Sequence, residues 1–195
     1  MAVYDIANVN VSLISQNEIF ILDANILSYL YAGYPLNKRD YVKVSKYSNF
    51  ISDLLSNGND ISTSAAYVQE VLNYIEKTEY SQYKRNHPND GLTKKQFRND
   101  STLRGYVAAK TDNVYRAICQ SCHNVYDVSI TKQITDGFVN GFRNHAYDPI
   151  DYIVANDLAA NNRVNIITDD KDYRLDKRLR VYTCLLYTSD AADEL

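Results

Sequence analysis

Ile19, Phe20, Ile21 and Leu22 form an unbroken apolar run that ends on Asp23. A run that is short, and apolar at every position instead of every second one, describes a strand covered on both faces. Such strands belong to parallel sheets, whose crossover connections lay helices over the sheet. The rest of the chain keeps this rhythm. A helix is expected from about Ile26 to Gly33 and a second from about Asp40 to Gly58. A short strand around Ile61 and Ser62 leads to Ser64, a suitable N-cap for a helix whose Val68, Val71, Leu72 and Ile75 make one apolar stripe. Beyond residue 124, VYDVSI (125–130) reads as a strand, TKQITDGFVNGF and DPIDYIVANDLAANN as helices, VNIIT (164–168) as a strand and LRVYT as the last strand. The pattern predicts a single α/β domain over 1–183, built on a parallel sheet of four or five strands with helices on both faces.

In such a sheet the C-terminal ends of the strands and the N-terminal ends of the following helices share one edge, and ligands bind there. Asp23, Asp148, Asp151, Asp169 and Asp170 are all assigned to that edge. Two carboxylates about 4 Å apart repel by roughly 4 kcal/mol at an effective dielectric near 20, so several converging there need a neutralising partner. A divalent cation with a preference for hard oxygen ligands, Mg2+ or Mn2+, suits them. Each acid also has a plainer explanation. Asp23 or Asn25 can cap the helix that follows, and Asp148, Pro149 and Asp151 occupy N-cap, first and third positions of another. Asp169 and Asp170 can cap the turn in DKDYRLDK, and Glu70 lies on the side of its helix away from Val68, Leu72 and Ile75.

Order and spacing tie the acids together. IFILDANIL (Asp23, Asn25), VQEVL (Glu70), DYIVANDLA (Asp151) and IITDDKDY (Thr168, Asp170 and the closing Asp172–Tyr173 pair) resemble, in that order, the motifs of PIN-domain nucleases, over Ile19 to about Thr183. The resemblance implies a three-layer α/β/α fold, one or two Mg2+ or Mn2+ ions, and endonucleolytic cleavage of single-stranded or structured RNA by metal-activated water. Carried onto this chain it makes Asp23, Glu70 and Asp151 the core acids and Asp170 the fourth, with Asp169 competing for that place and Asn25 and Thr168 positioning ligands or water. Implied partners are RNA and, if the chain is the toxin of a toxin–antitoxin pair, an antitoxin protein; a homodimer is a further expectation. A catalytically inactive RNA-binding or scaffold protein on the same fold is the alternative. An aspartyl phosphatase is disfavoured, because such enzymes want a second acid where Asn25 stands.

Residues 77–124 are longer than in compact toxin-type members and are read as a helical insertion. Nine Lys or Arg against four acids between 77 and 116 give it a local charge of +5, interleaved with Tyr80, Tyr83, Phe97, Tyr106 and Tyr115. That mixture suits phosphates and unpaired bases, chiefly through Lys84, Arg85, Lys94, Lys95 and Arg98, although a solvated helical hairpin would look the same. CQSCH (119–123) matches the haem-attachment pattern, but the sole methionine is Met1, and a single CxxC with His123 lacks a second ligand pair for zinc. Cys119 is therefore expected on a buried helix face and Cys122 near its end. Three cysteines make no disulfide framework, no apolar run approaches a membrane span, and MAVYDIANVNVS has no export signal, so a cytoplasmic protein is expected. The tail CLLYTSDAADE resembles the translation of a sequencing-library adapter, and 184–195 is set aside as non-native.

Overall fold

In the computed structural model, residues 2–34, 38–142 and 147–184 are described. Six strands form one sheet: β1 (Ala2–Asp5), β2 (Ile19–Leu22), β3 (Asp60–Ser64), β4 (Val125–Tyr126), β5 (Asn165–Ile167) and β6 (Arg180–Thr183). Every pairing is parallel and the spatial order is β1-β6-β5-β2-β3-β4. The helices are α1 (Ala24–Tyr31), α2 (Lys38–Ser56), α3 (Ala65–Asn86), α4 (Lys94–Asn99), α5 (Ser101–Ser121), α6 (Lys132–Gly141) and α7 (Pro149–Ala160). The parallel sheet flanked by helices is the three-layer arrangement expected of a PIN-like chain.

From β2 the chain steps outward through β3 to β4, then returns to place β5 and β6 on the opposite side of β2. The direction of winding therefore reverses between β2 and β5. Connections leaving two neighbouring strands toward opposite sides open a crevice at their C-terminal ends. The register puts Leu22 beside Ile167, so Asp23 and Thr168 emerge next to each other at the mouth of that crevice.

Phe20, Ile21 and Leu22 are completely buried, as the two-sided apolar run requires. Val68, Val71 and Ile75 are buried along α3, and Ser64 caps that helix by accepting from the Tyr67 amide at 3.2 Å. Asp148 caps α7 through the amides of Ile150 and Asp151, at 2.8 and 2.9 Å, with Pro149 in its first turn.

Three expectations are corrected. The sheet has six strands, not four or five, because Ala2–Asp5 pairs with β6; a four-residue edge strand has too little pattern to announce itself without its partner. β4 stops at Tyr126 instead of continuing to Ile130, because its neighbour ends there: Ser64, opposite Tyr126, is already the cap of α3. Cys119 is exposed instead of lying on a buried helix face, whereas Cys122 stands at the end of α5 as expected, and is buried there. Val107, Val114 and Ile118 define the buried stripe of α5, and Cys122 continues it one turn beyond Ile118 while Cys119 falls outside. The tail set aside as non-native lies outside the described residues except for Cys184, whose amide donates to the Tyr47 hydroxyl at 3.1 Å. Among the described residues no helix is long and apolar enough to cross a membrane.

Ile21 sits in the central strand with sheet neighbours on both sides and no exposure. Ile21→Ala should destabilise the fold by about 3 kcal/mol, read as a lower urea midpoint with an unchanged slope.

Candidate active site

Thr168 organises the mouth of the crevice. It follows β5, is fully buried, and donates its hydroxyl hydrogen to Asp23 Oδ2 while its oxygen accepts the Asp170 amide at 2.9 Å. Asn25 Nδ2 lies 3.4 Å from the same oxygen, and Asn25 Oδ1 accepts the Asp169 amide at 3.2 Å. Thus the turns after β2 and β5 are laced together through one threonine and one asparagine. Asp23 is also the N-cap of α1, accepting the Ala24 amide at 2.6 Å. The capping explanation and the edge-cluster explanation hold together.

Asp151 enters from the first turn of α7 and Glu70 from the second turn of α3. Burial, with a smaller push from Asp170 and Glu70, raises the Asp23 pKa to about 7. Burial, then repulsion by Asp23, Asp148 and Asp170, raises Asp151 to about 8. Glu70, though exposed on its outer side, is raised by partial burial and by Asp148 and Asp170, with Lys77 pulling the other way. Asp172 is raised by partial burial and by Asp170 and Asp148. These acids therefore share one field. Among the described residues none of Asp23, Glu70, Asp148, Asp151, Asp170 or Asp172 forms an ion pair with a Lys, Arg or His.

Asp169 and Asp170 part company here. Asp170 faces the other acids and accepts the Asp172 amide at 2.9 Å. Asp169 turns away to an ion pair with Lys43 and to hydroxyls of Tyr29 and Tyr47 at 3.0 and 2.9 Å. Its charge is already matched, and it ties α1 and α2 to the end of β5.

Two residues of the site were assigned no role from the sequence. Tyr173, in the 3-10 turn Asp172–Leu175, donates to Asp151 Oδ1 at 2.7 Å, and Tyr67 of α3 meets the Tyr173 hydroxyl in turn. Tyr173 has one hydroxyl hydrogen and spends it on Asp151, so Tyr67 must be the donor to Tyr173. Both tyrosines are completely buried, and the relay fixes one oxygen of Asp151 while its carbon framework is held by α7. Tyr67 sits in the apolar stripe of α3, where an aromatic ring reads as core; Tyr173 is visible only as the aromatic half of the pair that closes IITDDKDY.

The predicted nucleic-acid-binding residues fall on the end of α3 and on α4. Arg98 holds Glu76 with both Nε and Nη2, and Lys94 Nζ lies 3.9 Å from the same carboxylate. Lys84 donates to the Asp90 carbonyl at 2.6 Å. Arg85 and Lys95 are exposed and form no ion pair among the described residues. Part of the +5 charge is thus used inside the protein, to tie α4 to Glu76 of α3 and to close the turn at Asp90.

The acids supply only oxygen donors, the chemistry that Mg2+ and Mn2+ select. Among the described residues no three His, Cys, Asp or Glu side chains already converge closely enough to cage an ion. Mg2+ does not demand that, since it keeps several waters and is held through one or two carboxylates. Two buried acids pushed toward neutrality, with no basic partner among the described residues, fit such an ion.

No family model matches this chain, and no curated protein does. Among solved structures it is similar to one chain of VapBC2 from Rickettsia felis, described as bound to a DNA fragment from its promoter. The identity is 16%, the TM-score 0.47, and the match covers 85% of this chain and 98% of that one. At this level of similarity, function has to be read from the side chains at the sheet edge.

The raised pKa values carry a stability consequence. In the unfolded chain Asp23 ionises near 3.8, and in the folded chain near 7. Both states are protonated below that window; within it the unfolded state has lost a proton that the folded state keeps, so stability falls as pH rises. Asp151 extends the window to about 8. In EDTA the melting temperature should drop steadily from pH 5 to pH 8.5, with Asp23 contributing about 3 kcal/mol of that loss between pH 5 and about 7. Asp23→Asn should flatten the profile, and an equally steep profile in that variant would show that Asp23 is not the group responsible.

Proposed function

We propose that this chain is a metal-dependent ribonuclease that cuts RNA internally at the crevice between β2 and β5. The observation that supports it most is the pairing of two buried carboxylates, Asp23 and Asp151, that repel one another and, among the described residues, have no basic side chain to neutralise them. Asp23, Glu70 and Asp151 would hold Mg2+ or Mn2+, with Asp170 completing a second position or orienting the attacking water. When bound, the ion would supply charge neutralisation at the phosphate and a water acidic enough to be a nucleophile at neutral pH.

The chain's own contribution is positioning. Thr168 fixes the rotamer of Asp23 through one carboxylate oxygen, and Tyr173 fixes Asp151 in the same way. Asp170 is set by the two amide contacts of its own turn. The N-termini of α1 and α7 place partial positive charge beneath Asp23, Asp148 and Asp151, which makes a negative cluster tolerable there until a cation arrives. Arg85 and Lys95 offer exposed positive charge for the remaining phosphates.

The rival is a protein that binds RNA on this fold without turning it over, and it draws on the fact that the acids do not already form a three-ligand cage. Mixed RNA incubated with the protein in Mg2+ or in EDTA separates the two. Internal cleavage in Mg2+ only, lost by at least about 100-fold in a folded Asp23→Asn variant, is the expected result. Binding without products in either buffer, or unchanged cleavage by Asp23→Asn, would refute the enzyme.

A further inference from the structure

Beside the acids lies a second feature that the cleavage chemistry does not use. A cleft of about 330 Å³ opens between α1, the start of α2 and α3, walled by Tyr29, Tyr34 and Tyr74 and bordered by Asn25, Asp40 and Glu70. Asn25 and Glu70 belong both to this cleft and to the acidic edge, so whatever fills the cleft lies next to the reacting position.

Two of the three rings are fixed by contacts outside the cleft. Tyr29 donates its hydroxyl to Asp169 at 3.0 Å, with Lys43 Nζ 5.8 Å from the ring centroid. Tyr34 places its hydroxyl 2.9 Å from Glu79 Oε1 and 3.2 Å from the Ile75 carbonyl, with Lys110 Nζ 3.8 Å from its ring centroid. Lys110 also pairs with Glu79 at 2.6 Å. Because Lys110 belongs to α5, the insertion buttresses this wall. Tyr74 packs edge-on against Tyr34, centroids 5.6 Å apart, and is 44% exposed, so it is the wall free to adjust. Rings whose hydroxyls are tied elsewhere present carbon surface to a guest at little entropic cost.

The charged residues lining the cleft are acids, Asp40 and Glu70, and Glu70 forms no ion pair among the described residues, so the cleft disfavours phosphate and admits a flat, uncharged group. Its volume is at the lower end of the roughly 300–1,000 Å³ of ligand sites, which a single base with its sugar suits and a duplex does not. We propose that one nucleobase, unstacked from a single RNA strand, docks among Tyr29, Tyr34 and Tyr74 and thereby sets which phosphate reaches the acidic edge; this rests on the ribonuclease reading above. The enzyme then selects unpaired RNA, because a paired base cannot enter.

The test uses short single-stranded RNAs carrying 2-aminopurine at one position at a time, bound in EDTA so that nothing is cut. Stacking on tyrosine should quench the probe at one position far more than at the others. Removing the base at that position should weaken binding about tenfold, and Tyr74→Ala should do the same for the intact strand while abolishing the difference between intact and abasic RNA. The corresponding duplex should bind no better than the abasic strand. Equal affinity for intact and abasic strands, quenching spread evenly over all positions, or no binding of any strand would overturn the cleft. An aromatic peptide that competes while RNA does not would assign the cleft to a protein partner and overturn it too. Cleavage in Mg2+ with no base preference would sink the cleft alone; base docking without cleavage would sink the ribonuclease alone.

Discussion

The parallel pairing of β2 with β5 governs this molecule. It places the reversal of winding direction between two strands that end on Asp23 and Thr168, and so turns an ordinary sheet edge into a crevice. Thr168 then couples that pairing to chemistry, since its one hydroxyl reaches Asp23 and its oxygen receives the Asp170 amide. A slip of one residue between the two strands would send Thr168 to the other face of the sheet and separate the acids. The fold and the charge cluster are therefore a single specification.

That cluster is held at a cost. Burial and mutual repulsion leave Asp23 and Asp151 partly protonated near neutrality, and the helix N-termini beneath them offset only part of the strain. Asp169 shows the opposite arrangement, an acid whose charge is matched by Lys43 and whose oxygens accept from Tyr29 and Tyr47. The two neighbours in sequence differ in their surroundings: Asp169 has an ion pair and two hydroxyl donors, while Asp170 lies among other carboxylates and accepts the Asp172 amide.

The parts of this architecture that depend on local pattern were legible in the sequence. The apolar run 19–22, the Ser64 and Asp148 caps, the stripe on α3 and the last two strands follow from periodicity and capping chemistry, and the structure carries them within a few residues. What depended on a partner was not legible. β1 exists because β6 is there to pair with it, and β4 ends where β3 ends. Cys119 was misplaced because only the buried stripe of α5 decides which residue faces inward, and that stripe passes through Ile118 to Cys122. At the site, the order of the acids was readable, but the choice of Asp170 over Asp169 against the other carboxylates was not, since the two differ only in which way a turn points. The Tyr67–Tyr173 relay was hidden for a different reason: a tyrosine in a helix stripe looks like core until the acceptor of its hydroxyl is known. The basic insertion was read for its charge, whereas Arg98, Lys94 and Lys110 use theirs on Glu76 and Glu79.

The account stands or falls on whether the acids at the crevice answer to a divalent cation. The most direct measurement is calorimetric titration of Mn2+ into the purified protein at pH 6, where Asp23 and Asp151 still hold their protons, in two buffers of different protonation enthalpy. The account predicts saturable binding at one or two sites, accompanied by release of protons from Asp23 and Asp151, and loss of that binding in Asp23→Asn and Asp151→Asn. Absence of binding, or binding without proton release that both variants retain, would contradict it.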